Sequence, residues 1–153
     1  MATISEIVLS EFRSLSKEID LDTDLNPVLP DFYDFESEYP IVLGLINLKM
    51  EMMEYGKPTK VRVSTRSRRG MQVVEIAWDG KPIDKDYLGL INSRYKWGAE
   101  RKDEPKISGT MIAGYFLNKV GARIRIENFE DDGYRVRNIV EFPFDYKTEK
   151  RQI

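Results

Sequence analysis

The sequence predicts an α+β fold: a two-layer α/β sandwich in which helices cover one face of a mixed sheet. Three observations carry that prediction. Two segments in the first third have helical apolar spacing, two later segments alternate apolar and polar residues around short turns, and two further helical segments lie between those hairpins. The order α-α-β-β-α-α-β-β buries the apolar stripe of each helix only when the helices lie together on a sheet. With 153 residues, the chain has the length of one domain and can bury about 70% of the surface that it exposes unfolded.

Thr3 and Glu6 make a capping box, and Ile4, Ile7, Val8, Phe12 and Leu15 follow at helical spacing, so an amphipathic helix is expected over residues 3 to about 18. Residues 20 to 35 carry two prolines and many aspartates, which suits an ordered loop or a short extended piece. Pro40 fits the first turn of a second helix that runs to Gly56. Apolar residues on nearly every side of it, including Met50, Met52 and Met53, place that helix in the core. Val61, Val63 and Thr65, a turn from Ser67 to Gly70, and Val74, Ile76 and Trp78 describe a β-hairpin over 59 to 78. Helices are expected over Lys85 to Tyr95 and Met111 to Lys119, with a charged stretch from Gly98 to Ser108 between them. Ile124 and Ile126, a turn from Glu130 to Gly133, and Val136, Ile139, Val140 and Phe142 give a second hairpin.

There is no cysteine and no histidine. Disulfides, thiolate nucleophiles, zinc fingers, the triad base and phosphohistidine are thereby excluded. The formal net charge of −2 is near zero, but the charge is segregated: eight acids and no base from Glu18 to Glu38, then six bases and no acid from Lys57 to Arg69. The N-terminus has acids where a secretion signal needs a basic start and an apolar block, and no apolar run is long enough to span a bilayer. A cytoplasmic location without membrane contact is expected.

Three segments, in order, resemble the ATP-binding domain of histidine kinases, the GHKL or Bergerat fold. Leu45 to Gly56 is similar to the family's N-box helix, with Asn47 at its first asparagine. Glu51 falls on the second, which in the family binds the magnesium bridging the phosphates. Val74 to Ile83 resembles the strand and turn written D-N-G-x-G-I. Aligned on Gly80 and Ile83, Trp78 takes the place of the adenine-binding aspartate and Asp79 that of the asparagine; sliding by one residue restores Asp79 but shortens the loop. Gly109 to Tyr115 looks like the phosphate loop G-T-G-L-G-L, with Gly109 and Thr110 matching and Met111 at the second glycine. The run from Lys119 to Asn128, then Gly133 and Val140 to Pro143, is similar to the family's final hairpin. The lid phenylalanine has only Tyr95 or Trp97 to stand in for it.

The resemblance implies a division into an N-terminal helix (1–19), an acidic connector (20–38), an ATPase-like domain (39–146) and a charged tail (147–153). Its departures fall where the family touches nucleotide. The expected function is therefore a non-catalytic signalling or regulatory module that binds a protein, with no cofactor, no metal and no catalytic residue. Candidate contacts are the basic hairpin Lys60, Arg62, Arg66, Arg68 and Arg69 and the helix face Phe12 and Leu15, for which packing on the chain's own sheet is the other, slightly favoured expectation. The partner is a signalling protein or a second copy meeting the N-terminal helix. The alternative is an active domain that binds ATP and magnesium through Asn47, Glu51, Asp79, Gly80, Gly109 and Thr110 and acts as a kinase on another chain or as an ATPase. A basic nucleic-acid-binding module is a third reading that rests on the hairpin alone.

Each of these features also has a plainer explanation. Asp20, Asp22, Asp24, Asn26 and Asp31 have EF-hand-like spacing, but Leu25 stands where glycine is needed and Pro27 follows, so a solvated acidic loop is expected. The basic hairpin can be a charge-guarded sheet edge, neutralised by the acidic segment. Glu51 and Glu54, one turn apart, fit a solvated helix face as well as a general base.

Overall fold

A computed structural model of the chain describes residues 2–26, 32–33, 35–92 and 108–143. Two short strands, β1 (Ala2–Thr3) and β3 (Phe32–Tyr33), pair with each other, and helix α1 (Ile4–Phe12) follows β1. The Thr3 hydroxyl accepts the Glu6 amide at 3.1 Å, which satisfies one of the free N–H groups of the first turn. A 3₁₀ turn, Arg13–Lys17, continues the helix. Ile4, Ile7, Val8, Phe12 and Leu15 all enter the core. Phe12 and Leu15 are 1% and 7% exposed, which corrects their reading as a partner-facing surface: the helix spends its apolar face on its own sheet. Ser5 fixes the docking, since its hydroxyl meets the Thr65 hydroxyl and the Asn26 carbonyl at 2.9 Å each.

The main sheet has five strands in the order β2-β4-β5-β7-β6. Strands β4 (Lys60–Arg68) and β5 (Met71–Trp78) form one hairpin, β6 (Arg123–Asp131) and β7 (Tyr134–Pro143) the other. Both turns have two left-handed residues, Arg69 and Gly70 in the first, Asp132 and Gly133 in the second, the geometry that matches the twist of paired strands. The segment expected as a loop or short extended piece contains the short strand β2 (Asp20–Asp24), which joins the main sheet parallel to β4, with Asp20 beside Lys60 and Asp24 beside Ser64. One parallel pair among antiparallel ones makes the sheet mixed, as expected. The three aspartates alternate along an extended strand and do not curl around a point as EF-hand ligands do; Pro27 and Asp31 lie outside the described residues.

Helix α2 runs from Phe35 to Glu51, with a π-helical last turn, Met52–Gly56. Pro40 lies inside the helix, not in its first turn as expected. Ile41, Leu45, Leu48 and Met52 form the buried stripe, whereas Met50 is 53% exposed, so only one face of this helix is core. Helix α3 covers Lys85–Asn92 and α4 covers Ser108–Asn118. Residues 93–107, including Tyr95 and Trp97, and the tail 144–153 lie outside the described residues. Gly109 and Thr110, expected before a helix starting at Met111, lie with it in the first turn of α4, and the Met111 side chain is buried in the core. Val61, Val63, Val74, Ile76, Ile124, Ile126, Val136 and Val140 face the helices from the strands. No helix among the described residues is long and apolar enough to cross a membrane.

Candidate functional site

Helices α2 and α4 run antiparallel and meet through two glycines. A side chain at Gly44 would lie 2.7 Å from Leu117 Cγ, and one at Gly109 would lie 2.5 Å from Glu51 Oε2 and 2.8 Å from the Asn47 carbonyl oxygen. This close approach seats the first turn of α4 directly on Glu51. The Thr110 amide donates to Glu51 Oε2, and the Thr110 hydroxyl donates to Oε1 at 3.0 Å. Glu51 thus occupies the end of a helix where free N–H groups and the positive pole of the dipole favour an anion.

The site is dry. Glu51 is 8% exposed and Thr110 1%. Burial pushes the Glu51 carboxyl up to about 7, against the opposing pull of the two Thr110 hydrogen bonds, and Glu54 adds a small repulsion in the same direction as burial. Glu51 is therefore no member of a solvated face, although Glu54 is exposed.

Beside Glu51 opens a cavity of about 350 Å³, bounded by Tyr55, Gly56 and Trp78 on one side and by Lys81, Pro82, Ile83 and Asp84 on the other. Asn128 on β6 clamps this second wall: its side chain accepts the Ile83 amide at 2.9 Å and donates to the Ile83 carbonyl at 2.8 Å. Tyr55, Lys81, Asp84 and Asn128 were not singled out from sequence, because only the tertiary fold brings residues 51–56, 78–84 and 128 together. Trp78 packs its indole against Gly56, where an added side chain would lie 2.6 Å from Nε1.

The other residues that the resemblance named divide into two groups. Asn47, Glu51, Gly109 and Thr110 gather at the α2–α4 junction, though the Asn47 amide donates back to the Leu43 carbonyl of its own helix at 2.8 Å. Asp79 and Gly80 do not join them. Asp79 accepts the amides of Thr59 and Lys60 at 2.8 and 3.0 Å and the Thr59 hydroxyl, which pins the start of β4. Burial alone would raise its pKa, but these bonds outweigh it and hold the carboxyl below its usual value. Gly80 lies against the Gly56 carbonyl, 2.2 Å from where a side chain would begin.

The polar groups gathered here are engaged within the chain. The Thr110 N–H at the first turn of α4 is taken by Glu51, and Asp79 is committed to Thr59 and Lys60. Trp78, an N–H donor without an acceptor, walls the cavity.

The basic hairpin lies on the open face of the sheet. Glu75, nearly buried on that face, is approached at 3.5 Å by Arg62, Arg66 and Arg137. Arg62 also meets Asp131 at 3.3 Å, and Lys60 donates to the Asp132 carbonyl and stacks on Tyr134. Arg68 and Arg69 are exposed. Among the described residues, no group of three or more acids is placed to hold a metal ion.

No protein-family model and no curated protein matches the sequence. Solved structures do match its fold. The nucleotide-free catalytic domain of histidine kinase ThkA superposes with a TM-score of 0.73 at 20% identity, covering 94% of each chain. The mycobacterial sensor histidine kinase MprB gives a TM-score of 0.66 at 15% identity, covering 93% of this chain and 95% of that one. The ATP-binding domain of PrrB from Mycobacterium tuberculosis gives 0.66 at 16%, covering 94% and 95%. The chain has the fold of histidine-kinase catalytic domains.

Proposed function

We propose that this chain is a non-catalytic, protein-binding module built on the histidine-kinase catalytic fold, with its nucleotide site closed from within. One observation carries the proposal: the Glu51 carboxylate bonds to the Thr110 amide and hydroxyl at the first turn of α4. In effect the chain supplies its own anion at the position where the fold offers one to phosphate. An incoming phosphate would have to break both of these bonds and either face the Glu51 charge or leave its carboxyl to take up a proton.

Titration calorimetry of the full chain with ATP and magnesium tests this directly. No heat of binding at micromolar ATP is the expected result. Micromolar binding that Glu51→Ala abolishes would instead support an active domain, in which the cavity beside Trp78 receives the base and Glu51 turns toward a cation.

A further inference from the structure

The five bases of the first hairpin are not equivalent, because β2 runs beside only half of β4. Asp20 and Asp22 sit across from Lys60 and Arg62, and β2 ends at Asp24 beside Ser64. Toward the turn, Arg66, Arg68 and Arg69 have no acidic strand alongside. Lys60, Arg62, Arg66 and Arg137 have the partners given above, whereas among the described residues no carboxylate pairs with Arg68, Arg69 or Arg125.

These three unpaired arginines converge with Arg66. Arg66, Arg68, Arg69 and Arg125 line a groove of about 320 Å³ on the open sheet face, with Glu141 as its one acid and Val73 and Ile139 at its floor. All four arginines are exposed. Guanidinium forks bind carboxylates in pairs of parallel hydrogen bonds, and an apolar floor suits a side chain placed between acids. We propose that this groove receives a short acidic segment, rich in aspartate or glutamate, of a partner protein. The inference deepens the protein-binding reading and rests on it.

The charge map favours a short segment over a polynucleotide. A strand of nucleic acid extending along the same face would leave the groove for Glu75, Asp131 and the exposed Asp20, Asp22 and Asp24 of β2. The chain's net charge of −2 adds no long-range attraction.

Fluorescence anisotropy of the full chain with a labelled peptide alternating aspartate and leucine tests the proposal. Saturable binding is expected, weakened about tenfold or more by Arg68→Glu with Arg125→Glu. Lys17→Glu, in the helical layer, should leave it unchanged. The milder pair Arg68→Ala and Arg125→Ala should shift affinity the same way if the charge reversal impairs folding. Absent binding, or affinity unchanged from the parent in both paired variants, overturns the proposal. So does tighter, groove-dependent binding of a single-stranded oligonucleotide. Parallel ATP titrations keep the two claims apart: nucleotide binding alongside peptide binding defeats only the closed-site reading, and neither ligand binding defeats only the groove.

Discussion

Thr110 and Glu51, separated by 59 residues, are joined by two hydrogen bonds that use both oxygens of the carboxylate. The bond pair is buried, and it fastens the start of α4 to the end of α2.

Stability should depend on pH through this pair. The Glu51 carboxyl is raised to about 7 in the fold from 4.5. Between those values the folded chain keeps a proton that the unfolded chain has released. The contribution of this group is therefore full below pH 4.5, declines as pH rises toward 7 and is flat above, a loss of up to about 3 kcal/mol. Glu51→Gln has no proton to lose. Its urea midpoint should exceed that of the parent at pH 8, and the difference should shrink by pH 5. A difference that does not change with pH would show that Glu51 is not desolvated as described.

Gly109 should tolerate no side chain. Alanine there would press on the Glu51 Cβ at 2.7 Å and on the Asn47 carbonyl, a backbone atom that cannot swing away. Gly109→Ala should cost about 1–3 kcal/mol, as overpacking does. In contrast, Gly89 in α3 has nothing within 4 Å of the added atom. Gly89→Ala should be neutral or stabilise by about 0.5–1 kcal/mol. Thermal melts of the two variants make the comparison, and equal effects would contradict the close α2–α4 approach.

Phe12 should behave as a core residue. It is 1% exposed among Ile4, Val8 and Leu15. Phe12→Ala should lower stability by about 3–5 kcal/mol in urea denaturation. A variant with parental stability but altered self-association in sedimentation would restore Phe12 to a docking surface.

Much of the fold was legible because its signals are local. The capping box at Thr3, the alternation in both hairpins and the turns at Gly70 and Gly133 each act within a few residues. That the extended piece at 20–24 joins the main sheet escaped because its alternation is written in aspartates, which have low strand propensity, with only Leu21 packing inward; pairing with β4 overrides propensity. The start of α2 escaped because proline marks a first turn more often than a helix interior. At the site, Glu51, Gly109 and Thr110 each stood out in the sequence, but their contact is tertiary. The helical periodicity of Phe12 and Leu15 likewise announced an apolar face without saying what covers it.

The position of β2 has a consequence for how copies of this chain meet. Outermost among the described strands, it presents a backbone edge that no other described strand pairs, the kind of surface through which sheets grow from one molecule into the next. Asp20, Asp22 and Asp24 stand exposed along it. Two copies approaching through this edge would bring three carboxylates from each into register, and repulsion would part them before the backbones could pair. The acidic strand thus works as a fender, letting the opposite end of the same face stay open and basic without inviting filaments.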